Sequence, residues 1–250
     1  MFPLRDNNPT RKRPILTLAL IVANLVVFFV WQPSAFWIPA TDEESAQVSG
    51  SEQQEFLFAH AAVPCEIVRG VPVNIREANS GDCLDTPSEP VFPEKQVYAS
   101  VLVSLFLHGG LLHIASNMWF LWLFGNNVEE AFGRLRYLAF YLVGGAFATL
   151  AFVMLQADAA VPLVGASGAI AAVLGAYLAL FPGRWILGLI GIWPIPAPAA
   201  LFLGLWFFGQ FVTQDEATAW EAHAAGFAFG FLVTLLIRRP VLAHLHRLHA

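Results

Sequence analysis

Apolar and polar stretches alternate along this chain at a spacing that predicts membrane-crossing helices. Pro14 to Trp31 is the first apolar run, at about 18 residues near the minimum for a helix across a bilayer. From Val97 to Val128 no side chain is charged, but about 32 residues in one helix would overshoot a bilayer. His108-Gly109-Gly110 divides this run into a re-entrant or interfacial loop, 97–110, and a second span from Leu111 to Asn127. Tyr137 to Gln156 is the third span. Ser167 to Leu180 is a short fourth, led into by non-helical backbone over Val161–Ala166, which is tolerated at depth only under protein or a water cavity. Pro194, Pro196 and Pro198 divide the next run into a cytoplasmic interfacial segment, 185–195, and a fifth span from Pro196 to Val212. The sixth runs from Ala217 to Ile237. The pattern predicts an all-α polytopic membrane protein with six transmembrane helices.

Composition and charge sharpen this. With 57% hydrophobic and 12% charged residues in 250, a soluble domain is excluded. Arg5, Arg11, Lys12 and Arg13 precede the first run, Arg134 and Arg136 follow the second, Arg184 follows the fourth, and Arg238, Arg239 and Arg247 follow the last. Acidic residues gather between Asp42 and Glu94 and at Asp215 and Glu216. By the positive-inside rule both termini are cytoplasmic. The first run exceeds the roughly 7- to 15-residue core of a secretory signal and is expected to stay in the protein. The whole chain reads as one membrane domain, 1–250, with a cytoplasmic segment 1–13, a long extracytoplasmic loop 32–110 and a cytoplasmic tail 238–250. In that loop lie Cys65 and Cys83, the only two cysteines. In an oxidising compartment such a pair is expected to form a disulfide, worth about 3 kcal/mol in the chain-entropy model, two free thiols being the alternative. No cofactor, metal site or nucleic-acid partner is expected.

The candidate chemistry is intramembrane. Ser167, in Val164-Gly165-Ala166-Ser167-Gly168-Ala169, is by itself an ordinary small residue for helix packing. Its company changes the reading, because His113 with Asn117 and His223 lie near the same ends of spans two and six. Ser167, Ala171 and Gly175 share one face of span four, and His223, Gly226 and Gly230 share one face of span six. If those faces pack together, serine and histidine meet. Imidazole is the usual base that activates a serine hydroxyl, so Ser167 and His223 form a plausible catalytic dyad. Asn117, His113 and the N–H groups opening span four could stabilise an oxyanion. Glu221 is expected at the rim, His108 in a loop or interface, Asn24 and Gln210 as helix-packing polar groups, and Asn126 and Asn127 at a helix exit. A small transporter with a histidine proton path is the competing class, although no span contains a buried carboxylate and no halves repeat. Metalloprotease and aspartyl protease signatures are absent.

These motifs resemble those of the rhomboid intramembrane serine proteases. The resemblance rests on Phe106 to Gly110, on His113-Ile114-Ala115-Ser116-Asn117 before Gly125-Asn126-Asn127-Val128-Glu129, on Gly165-Ala166-Ser167-Gly168, and on His223-Ala224-Ala225-Gly226 with Gly230. It implies a six-helix bundle in which Gly165, Gly168, Gly226 and Gly230 pack helices at the site. It also implies a Ser167–His223 dyad, open to the extracytoplasmic face, that cleaves transmembrane protein substrates within the lipid bilayer, and it suggests a bacterial inner (plasma) membrane. A non-cleaving rhomboid-like client-binding protein is the alternative. Two departures stand out. Family members often carry an aromatic residue four positions after the serine, packed on the imidazole, where this chain has Ala171. The family's Trp-Arg pair in the first loop has no counterpart at Gln96-Val97-Tyr98-Ala99-Ser100.

Overall fold

The computed structural model describes residues 2–38, 43–84, 88–212 and 219–249. The chain is mostly helical. Strand β1 (Phe2–Asp6) is followed by α1 (Ile15–Val26), which widens into a π-helical turn over Val27–Trp31. Three helices, α2 (Glu43–His60), α3 (Pro64–Arg69) and α4 (Ile75–Ser80), occupy the region expected to be an irregular polar loop. Then come the single-turn α5 (Ser100–Val103), α6 (Leu111–Phe132), α7 (Arg134–Leu155), α8 (Ser167–Leu180), strands β2 (Trp185–Ile190) and β3 (Trp193–Pro198), α9 (Ala199–Gly209) and α10 (Trp220–His249).

Among the described residues, α7 and α10 are long and apolar enough to cross a bilayer, and Ser100–Phe106 with α6 makes a third candidate bent by 89°. Ile15–Trp31, α8 and α9 are shorter apolar helices. Several expected boundaries move. Residues 185–198 form an antiparallel hairpin on β1, in the order β1-β2-β3. The three prolines therefore sit on an edge strand, where a missing N–H costs nothing, and the helix starts after them at Ala199. Asn126 and Asn127 lie inside α6, which ends at Gly133 in a left-handed conformation (φ 80°). α10 runs past Ile237 and through Pro240, with Val241 buried beyond it. Ala217, Asp215 and Glu216 lie outside the described residues.

Two compact units divide the chain. The first comprises Met1–Ile21, Ser116–Ala148 and Ser167–Ala250. In it α8 and α10 pack at backbone contact. A Cβ on Gly226 would strike the Gly168 carbonyl and one on Gly230 the Ala172 carbonyl, so only glycine admits this approach. The N-terminal segment is tied down by carboxylates near the end of α6. Glu130 accepts the amides of Arg11 (2.8 Å) and Lys12 (2.9 Å), and Glu129 those of Leu16 (3.0 Å) and Thr17 (2.8 Å). Glu129 thereby satisfies orphan N–H groups in the first turn of α1 and complements its dipole, while Glu130 holds the segment just before it. Asp6 accepts from Asn127 Nδ2 (2.8 Å) and the Tyr177 hydroxyl (3.0 Å). Burial pushes its pKa up to about 6 against these two hydrogen bonds.

The second unit comprises Val22–Ala115 and Thr149–Ala166. Its small core gathers Phe58, Val63, Cys65, Val73 and Ala160, with Cys83 and Phe92 packed against it. Cys65 and Cys83 meet in a disulfide. The Lys95–Glu66 ion pair (2.5 Å) is almost fully buried, and Glu66 also accepts the Val73 amide (2.9 Å). Asn74 and Glu77 form a capping box at α4. The bend before α6 is held by Gln32, whose side-chain amide pairs with both backbone groups of His108 (2.8 and 2.9 Å). Ser104 ties this loop further, its hydroxyl accepting the Ala62 amide (2.6 Å) and its carbonyl the Gly165 amide (2.9 Å). Gln32 and Ser104 thus seat a loop that lacks the Trp-Arg pair.

Candidate functional site

Ser167 is the first residue of α8. Gly165, two residues earlier, has φ 123°, so this glycine turns the chain into the helix. The turn leaves the Ser167 hydroxyl at a helix N-terminus, where backbone N–H groups lack intrahelical partners and the dipole favours negative charge. On α10, His223 lies three residues before Gly226, on the face that meets α8. His223 Nε2 stands 2.8 Å from Ser167 Oγ. Both side chains are partly exposed, and the rest of α8 is almost wholly buried.

The other imidazole nitrogen defines the tautomer. His223 Nδ1 lies 2.9 Å from Gln210 Oε1. Gln210 Nε2 donates to the Trp206 carbonyl at 3.2 Å, which orients the amide with its oxygen toward the ring. An amide oxygen only accepts, so Nδ1 carries the proton and Nε2 presents its lone pair to the serine hydroxyl. Trp206 flanks the same ring, with centroids 6.2 Å apart at 33°. Trp206 lies near the end of α9 and Gln210 directly follows it, so side chains from this end of the helix flank the imidazole. Ala171 itself is fully buried.

The sequence pattern predicts a helix-packing polar group at Gln210, whereas its side chain meets the imidazole of His223. Its partner lies thirteen positions away, and no periodicity links the two. One signal was present, however, because Gln210 is the only polar side chain between Ala199 and Val212. Glu221, expected at the rim, is 8% exposed and therefore buried.

Asn117 lies in the same unit as Ser167 and His223. It is 7% exposed, and its Nδ2 is a buried donor with no hydrogen-bond partner. A buried amide donor without an acceptor is costly and marks a place where a ligand oxygen would be stabilised. His113, one turn earlier on α6, belongs to the second unit. Its Nδ1 accepts the Gly109 amide at 3.3 Å, and its ring meets that of His108 edge-on at 5.2 Å. That acceptor role leaves Nε2 as its donor nitrogen. Among the described residues no three His, Cys, Asp or Glu side chains come together to hold a metal.

Comparison with known proteins identifies the family. A family model for the Rhomboid domain matches residues 94–240, a stretch that includes Asn117, Ser167, Gln210 and His223. The chain is 29% identical over 134 residues to RHOMBOID-like protein 5 of Arabidopsis thaliana, covering 52% of this chain and 42% of that protein. It is 34% identical over 155 residues to the mitochondrial presenilin-associated rhomboid-like protein of Bos taurus, covering 55% and 38%. With the mitochondrial Rhomboid protein 1 of Saccharomyces cerevisiae it shares 30% over 135 residues, covering 52% and 35%. The chain thus spans less than half the length of these relatives. All three are eukaryotic and two are named as mitochondrial. They lend no support to a bacterial plasma membrane, because apolar spans and charge bias suit many bilayers and do not identify the organism.

Proposed function

Because the chain belongs to the rhomboid family, we propose that it is an intramembrane serine endopeptidase, cleaving the membrane-spanning segments of other membrane proteins. The observation that carries this reading is the Ser167–His223 contact at 2.8 Å with the far side of the ring held by Gln210. His223 Nε2 takes the hydroxyl proton as Ser167 Oγ attacks the scissile carbonyl carbon. The imidazolium then passes that proton to the departing amine, leaving an acyl-serine. Water, deprotonated by the same nitrogen, attacks the ester and restores the hydroxyl. The oxyanion of each tetrahedral intermediate is stabilised by the unpaired Asn117 Nδ2 and by the N–H groups opening α8. Gln210 keeps the tautomer but carries no charge, so it orients the imidazolium without the Coulombic support of a carboxylate.

In this reading six crossings, Ile15–Trp31, α6, α7, α8, α9 and α10, hold the dyad inside the bilayer, with both termini cytoplasmic. α8, at 14 residues, rises only about 21 Å. The test is fluorophosphonate labelling of the purified protein with the adduct mapped by peptide mass spectrometry. Modification at Ser167 that disappears in His223→Ala is expected. No labelling of a folded protein that still binds a transmembrane peptide would leave a non-cleaving rhomboid-like protein in its place.

A further inference from the structure

At the end of the first unit away from Ser167 on α8 and His223 on α10 lies a cavity of about 820 Å³ between the N-terminal segment, the α6–α7 corner and the end of α10. Its basic lining is Lys12, Arg13, Arg134, Arg136, His244 and Arg247. These residues come from three separate stretches of sequence, so the fold and not a local charge run assembles them. None of the arginines or the lysine takes part in an ion pair among the described residues.

Two carboxylates also line the cavity, Glu129 and Glu130. They are already engaged with the backbone of residues 11–17. Glu130 Oε2 also lies 3.4 Å from His249. Five permanent cations against two committed carboxylates leave the space strongly positive. The lining is not wholly polar. Phe132 and Pro240 contribute to the wall, and Leu135, between the two arginines of α7, is 83% exposed. A phosphate group bonded to the basic side chains with a hydrocarbon chain along Leu135 would satisfy both halves of this surface.

We propose that this cavity binds the phosphate of an anionic phospholipid from the leaflet facing the Lys- and Arg-rich ends of the helices. Arg134, Arg136 and Arg247 present guanidinium forks suited to phosphate oxygens, with Lys12 and Arg13 supplying further charge. Because Lys12 and Arg13 adjoin α1, the lipid links the N-terminal segment to α7 and α10. The site stands independently of whether Ser167 cleaves anything.

The experiment is native mass spectrometry of the full chain released from micelles containing equal phosphatidylglycerol and phosphatidylcholine of matched acyl chains. Retention of one phosphatidylglycerol in preference to phosphatidylcholine is expected. The Arg134→Gln/Arg136→Gln variant should lose roughly ten- to thirty-fold in that preference. Arg238→Gln/Arg239→Gln, two cations on α10 that do not line the cavity, should leave it unchanged. Equal losses in both variants would reduce the effect to general surface attraction and overturn the proposal. Displacement of the lipid by millimolar inorganic phosphate would also overturn it, by assigning the site to a soluble anion. In case the arginine variant does not fold, the wild type is irradiated with a diazirine-bearing phosphatidylglycerol. Adducts on the peptides carrying Phe132–Arg136 or His244–Arg247 support the site, and adducts spread evenly over the apolar helices refute it.

Discussion

At the scale of single residues, Gln210 separates an oriented imidazole from a merely adjacent one. Gln210→Leu removes the acceptor at Nδ1, so the ring can turn or exchange tautomer and Nε2 no longer faces Ser167 reliably. A fall of roughly 10- to 100-fold in the fluorophosphonate labelling rate is expected, as for other groups that orient a functional imidazole. Gln210→Glu keeps an acceptor and should recover most of it. Labelling at the wild-type rate in Gln210→Leu would mean that Trp206 alone positions the ring. The site residues should also differ in degree. Ser167→Ala abolishes labelling and cleavage, and His223→Ala reduces cleavage to near background. Asn117→Ala costs about 10²- to 10³-fold in turnover, because it removes one oxyanion donor among several. An Asn117→Ala protein with full turnover on a transmembrane peptide would assign the unpaired amide to packing. Ser167, His223, Asn117 and His113 could be read in the sequence because a polar side chain in an apolar helix is conspicuous. Gln210 was visible for the same reason, but its partner was not, since that depends on where α9 ends relative to α10.

Among the elements, the α8–α10 pair is the one whose geometry the dyad requires. Gly230→Ala puts a methyl group into the Ala172 carbonyl, so the helices must separate. The expected cost is about 1–3 kcal/mol, seen as a lower Tm, together with loss of labelling as Ser167 and His223 part. An unchanged Tm and labelling rate would show that the helices slide at no cost. The alternation of small residues made this close approach legible: Gly175 of the Ser167–Ala171–Gly175 row meets the Phe227 carbonyl, and Gly168 and Ala172 beside it meet Gly226 and Gly230. The opposite holds for the Cys65–Cys83 crosslink, which belongs to the second unit. Replacing both cysteines with serine should lower thermal stability by about 3 kcal/mol in the chain-entropy model and leave cleavage near normal. Complete loss of activity in a folded variant would place that loop in the active site. The helices α2 to α4 were not legible, because their few apolar residues show no sustained period.

For the molecule as a whole, the distribution of charge makes a prediction about sidedness. A cysteine introduced at Ser51 should react with an impermeant thiol reagent in intact cells, whereas one at the exposed Ala243 of α10 should react only after permeabilisation. The reverse pattern would invert the topology and turn the dyad toward the other compartment. The sequence by itself determined the membrane character, the mostly helical fold, the family and the four residues to watch. Each of these is written in composition, in local period or in a short motif, where the physics acts between near neighbours along the chain. Only the folded packing settled that residues 185–198 would form a hairpin on β1, that Glu129 would cap a helix, and Glu130 hold the segment before it, more than a hundred residues earlier, and that the amide of Gln210 would face the imidazole. Those outcomes turn on which buried donor finds which acceptor. That choice is made by the packing of distant segments, and no local pattern encodes it.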